Sequence, residues 1–187
     1  MGGQAGSGIW LILLPEILAG KVFKTRKLME AQAFIIARVL HMLGVVLWIG
    51  GVAMVTTVLL PAIAETVAAS ERIAVFDRIE RRFAWQARLT TLVVGLSGGY
   101  MLYVLHAGER FAYLQYWWMH AMVLVWTVFT VMLFVLEPLM LHRKLSEMAS
   151  RDPVATYRLI QRLHWGLLTV SLITVAGAVA GSHGWSF

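Results

Sequence analysis

At 187 residues, with 59% hydrophobic and only 14% charged residues and a mean hydropathy of +0.74, the chain is too apolar for an ordinary water-soluble domain. It has no cysteine, which excludes disulfides, iron–sulfur clusters, thiolate metal sites and haem attached covalently through a C-x-x-C-H motif. Sixteen Lys+Arg against ten Asp+Glu give a net charge of +6, yet the basic residues stand between apolar runs, as at a membrane rim, and none interleave with stacking aromatics, so nucleic acid is not an expected partner.

Residues 9–20 are apolar but hold Pro15 and Glu16. About a dozen residues cannot cross a bilayer, which takes roughly 20, so residues 1–32 are expected to form an interfacial N-terminal segment. Lys21, Lys24, Arg26 and Lys27 follow this stretch instead of preceding it, the reverse of a cleavable signal peptide. Four longer apolar runs come next, at about 34–60, 89–105, 116–136 and 163–180, each near spanning length and without the alternation of barrel strands. Pro61 with Glu65, residues 107–110 and Glu137-Pro138 are expected to mark the exits. Between the first two runs, Ile73, Phe76, Ile79 and Phe83 recur at spacings of three and four among charges, which predicts an amphipathic helix over 66–85 lying on the cytoplasmic surface. Asp152-Pro153 fits an N-cap followed by a first-turn proline that opens the last helix.

The expected architecture is all-α: a single transmembrane domain over 1–187, built as a four-helix bundle with short loops and a cytoplasmic amphipathic helix. With four spans, the loops after the first and third runs share one side. That side carries ten basic residues (Arg72, Arg78, Arg81, Arg82, Arg88, Arg143, Lys144, Arg151, Arg158, Arg162) against six on the other (Lys21, Lys24, Arg26, Lys27, Arg38, Arg110), so both termini are expected outside the cytoplasm.

Ionisable groups inside membrane segments are costly and tend to mark sites, which makes the six histidines the most informative residues. His41 lies about two turns into the first run and His120 in the first turns of the third; in an up-down bundle these helices are diagonal. Two imidazoles on opposite faces of an iron porphyrin would make six-coordinate haem b, so both are candidate iron ligands. Gly44, Trp48 and Gly51 continue the His41 face, where small residues would admit a flat macrocycle, and Gly95, Gly98 and Gly99 offer the same in the second run. Arg38, one turn before His41, could pair with a propionate. His142 with His164, and His106 with His183, are weaker metal candidates at the two rims; interfacial placement explains His106, His142 and His183 as well. Gly177 and Gly181 have the spacing of a helix contact. Ten methionines raise a copper reading, since thioethers favour Cu(I), but they are scattered, and packing accounts for them. Glu137 is placed to move a proton or to pair with Arg143.

His41-x-x-Gly44-x-x-x-Trp48-x-x-Gly51 with Pro61 resembles the first helix of the membrane proteins grouped with CopD and with the HemJ-type protoporphyrinogen oxidase, and Trp118-x-His120 resembles the HemJ-type third helix. The resemblance covers the first three helices. It implies a four-helix core in the bacterial inner membrane that holds haem b, with His41 and His120 at the haem. HemJ-type proteins place a functional Lys two residues after the third-helix His; Met122 stands there, so the porphyrinogen oxidase reaction is not carried over. Trp117-Trp118-Met119-His120-Ala121-Met122, Glu137-Pro138 with His142, and Gly181-Ser182-His183-Gly184 bring the chain nearer to CopD-like members.

The leading expectation is a membrane-bound b-type cytochrome that exchanges electrons with a quinone or a redox partner protein, alone or as an oligomer. Copper handling without haem, or an accessory role in a larger membrane complex, are the alternatives. Nothing in the sequence suggests hydrolysis or group transfer.

Overall fold

The computed structural model describes residues 7–185, and the backbone alone for 7–20, 22 and 140–142. Every regular element among them is helical. Helix α1 runs over Ser7–Met54, passes through a wide π turn at Val55–Leu59 and continues as α2, Leu60–Thr66. Helix α3 spans Arg72–Val104; short 3₁₀ turns at Ala107–Ala112 and Leu114–Tyr116 lead to α4, Trp117–Val131. A π segment, Met132–Leu141, carries α4 into α5, His142–Arg151, and α6 spans Pro153–Ser182. Three stretches are long and apolar enough to cross a membrane: Phe23–Thr66, Leu114–Leu139 and Pro153–Ser182. Helix α3 is not among them, because charges fill its first half and the apolar remainder, 89–104, is shorter than the roughly 20 residues of a span.

Several expected boundaries move. Residues 9–20 continue directly into α1 with no break in the helix. Pro61 and Pro138 do not end helices: both sit where the backbone widens to the i→i−5 register, in which Leu60 N–H reaches Val55 O. Widening moves carbonyls away from the proline ring and lets the helix go on. The amphipathic stretch 66–85 does not lie apart on the surface; from Arg72 onward it is the first half of α3, with Phe76 buried and Ile73 and Phe83 partly buried against the core. Asp152 is the N-cap of α6, its Oδ1 accepting from Ala155 N at 2.9 Å, as its position before Pro153 predicts.

Helix α3 lies along α1 and α6 along α4, while α3 neighbours α4 and α6 neighbours α1, which places α1 and α4 on a diagonal. Helices α1 and α3 run in opposite directions, since Gly44 abuts Val94 and Gly51 abuts Phe83. Glycines let these helices meet closely: a Cβ at Gly51 would fall 2.2 Å from the Phe83 ring, and one at Gly177 2.3 Å from Trp117. The core has three parts. Trp48, Val52, Val94, Val125, Phe129 and Leu168 fill the middle. Ala107, Trp118 and Met119 close the end that carries the 107–116 connection, here the loop end. Val55, Leu60, Ile63, Phe76, Tyr157 and Ile160 close the opposite, proline end.

Buried hydroxyls mostly bond within their own helices: Thr56 donates to Val52 O, Ser171 to Leu167 O and Thr174 to Val170 O. This removes the cost of an unmet polar group in an apolar interior. Three bonds from side chains to the backbone of another segment tie down the proline end. Tyr157 Oη donates to Leu60 O at 2.8 Å, and Arg72 donates from Nη2 to Ala64 O (2.7 Å) and from Nε to Val67 O (2.9 Å), satisfying carbonyls that the end of α2 leaves open. Tyr157 is only 2% exposed. Tyr157→Phe keeps the ring and removes one buried bond, so it should lower stability by about 1 kcal/mol and depress the Tm in detergent; an unchanged Tm would show that the bond contributes nothing.

Candidate functional site

The candidate site starts at His41, which the helical repeat of α1 turns towards α3. Its Nδ1 lies 3.1 Å from Val94 O and 3.2 Å from Ser97 Oγ. A carbonyl only accepts, and the Ser97 hydroxyl already donates to Val93 O, so the imidazole proton sits on Nδ1. The Nε2 lone pair has no partner among the described residues. Histidines that bind metals often have their far N–H held by a backbone carbonyl in the same way. Gly98 eases the fit: a Cβ there would stand 3.1 Å from His41 Cε1 and 3.4 Å from Nδ1.

His120 is held differently. Its Nε2–H donates to Phe111 O at 3.0 Å, its Nδ1 lies 3.3 Å from Tyr116 O, and its ring meets the Phe111 ring edge-on at 5.3 Å. These contacts pin the 107–116 connection to the start of α4. No contact among the described residues joins His120 to His41.

The rest of the expected haem cradle is filled by protein. Gly44 packs on Val94 and Gly51 on Phe83, while Gly95 receives the face of Trp126, whose Nε1 donates to Thr91 O at 2.9 Å. Trp48 is 3% exposed and meets Phe129 across the diagonal at 4.9 Å, edge to face. Arg38 is exposed beside Phe34, Ile35, Val39, Met42 and Leu43 on the outer side of α1. The described residues therefore fit a single imidazole ligand at His41, and they do not fit a porphyrin clamped between His41 and His120 in this arrangement.

The weaker candidates are dispersed. His164 donates from Nδ1 to Ile160 O (2.9 Å) and meets Phe76 edge-on at the proline end; the side chain of His142 lies outside the described residues. His183 is exposed and bonds Val179 O of its own helix at 2.8 Å. His106 is exposed, with a left-handed φ of 49° at the turn into the 107–112 segment, which puts a backbone role on it. Among the described residues no three His, Asp or Glu cluster as a metal site. Met42 and Met54 face outward, and Met119 and Met122 belong to the loop-end core. Gly177 and Gly181 are helix contacts, taking the faces of Trp117 and Trp118.

Glu137 does not depend on Arg143, which bonds Glu147 at 3.1 Å on its own helix. It pairs with Arg88 of α3 at 3.0 Å, and its side chain is 7% exposed. Sequence reasoning missed this pair. The available signal was two opposite charges, each bordering an apolar run on what the charge pattern makes the same side.

His120→Ala should release the 107–116 connection and speed proteolysis after Arg110, leaving cleavage elsewhere unchanged. Equal cleavage in the variant and the native chain would remove the anchoring role.

Compared with protein-family models, curated proteins and solved structures, the chain finds no match in any of the three.

Proposed function

We propose that the chain is a multi-pass protein of the bacterial inner membrane, with α3 supplying a fourth crossing through residues 89–104, and that it carries haem b at His41 for electron transfer. Membrane residence is supported by the outward faces, where Leu96 is 75% exposed, Leu124 and Val46 63%, and Ile173 56%, a continuous apolar coat that water would not tolerate. Packing along α1 buries one side of the short apolar part of α3, including Val94 and Ser97, and leaves the other side facing outward. The distribution of basic residues supports an orientation with the proline end in the cytoplasm and both termini outside.

One observation carries the haem reading: His41 is fixed by Val94 O through Nδ1, with Nε2 left as a ligand atom. Haem b, when bound, supplies a one-electron iron couple. The chain's part is to orient that imidazole and to keep water from it with the apolar helices around it. His120 contributes a second ligand through Nε2 only on giving up Phe111 O. A quinone or a redox protein is the fitting electron partner.

A second reading, an accessory subunit without cofactor, is favoured by the packed centre, where Trp48 meets Phe129 and Trp126 covers Gly95. The two readings separate on one substitution. His41→Ala should abolish the Soret absorbance of purified protein at unchanged yield, whereas a full Soret band in that variant would remove His41 from the haem. In His120→Ala, a change from low-spin to high-spin iron would make His120 a ligand as well, and an unchanged spectrum would leave it with the connection.

A further inference from the structure

Pro138 lies inside an unbroken helical stretch that runs from α4 to α5. In the ordinary register its ring would clash with the carbonyl four residues back, that of Phe134, and the backbone answers by widening over Met132–Leu141. Widening leaves a second problem. In the i→i−5 register, residue 138 should donate to the carbonyl of Leu133, and proline has no N–H to give.

Arg88 of α3 stands at that carbonyl. Its Nε donates to Leu133 O at 3.0 Å, and its Nη2 lies 3.0 Å from Oε1 of Glu137, the residue next to the proline. The fork of donors on a guanidinium suits both tasks at once, which a single ammonium would not. We infer that Arg88 acts as a latch: it takes the place of the missing proline donor, holds α4 in the wide register and ties the start of α5 to α3. Glu137 keeps the guanidinium in place by neutralising it at the edge of the apolar run. The device is independent of any cofactor at His41.

The test is a cycle in the Glu137→Leu background, where position 137 offers no side-chain acceptor and Arg88 keeps only its bond to Leu133 O. Full-length protein in detergent is melted with and without Arg88→Met, each with and without Pro138→Ala, which restores an N–H at position 138. Arg88→Met should lower the Tm when Pro138 is present, and by less than half as much in the Pro138→Ala protein. Equal lowering in both would overturn the latch. Amide exchange on Arg88→Lys supplies a reading that does not depend on the cycle's variants folding. Exchange over 134–141 should rise at least tenfold with the rest of the chain unaffected, and unchanged exchange there would count against the proposal equally.

Discussion

An apolar interior offers no hydrogen bond to a polar group, and most of the described helical packing answers that constraint. Helices satisfy their own backbones, and the buried threonines and serines mostly return their hydroxyls to the preceding turn. Prolines are the exceptions. At Pro61 and Pro138 the backbone widens, and side chains from other helices come to the proline end: Tyr157 to Leu60 O, Arg72 to the last carbonyls of α2, Arg88 to Leu133 O. Two cations and a tyrosine thereby tie the helices together at that end.

The same constraint shapes the seam between α1 and α3. A buried imidazole needs a partner for its N–H, and His41 finds it in Val94 O because Gly98 and Gly44 let the two helices approach. Close approach has a consequence at the centre. Trp48 and Phe129 meet between α1 and α4, and Trp126 covers Gly95 of α3, so the described residues leave no room for a macrocycle clamped between His41 and His120. His120, with its proton committed to Phe111 O, belongs to the architecture of the loop end.

Much of the fold was legible because apolar runs of spanning length leave little alternative to helix, and because Asp152-Pro153 and Gly177 with Gly181 are local signals with local outcomes. Segment boundaries at the prolines were not legible. Whether a proline stops a helix or widens it depends on a donor from elsewhere, and Arg88 stands 45 residues from Leu133. The amphipathic stretch 66–85 carries the same pattern whether its apolar face meets a membrane surface or a helical core, and only packing around Phe76 and Phe83 decides for the core. At the site, the helical repeat sets His41, Gly44, Trp48 and Gly51 on the face of α1 that packs against α3 and the core. Their occupants were not readable, because small residues in a helix face admit a neighbouring side chain as readily as a cofactor. His120 was harder still, since its partner Phe111 lies in a connection with no periodic pattern.

We propose that His41 is a haem ligand and not only a helix contact. Its most direct test is the absorption spectrum of native protein purified in detergent, oxidised and then dithionite-reduced, with pyridine haemochrome and copper quantified on the same sample. The account predicts a Soret band, a sharp α-band on reduction and stoichiometric haem b. A colourless protein without haem, with or without copper, would contradict it.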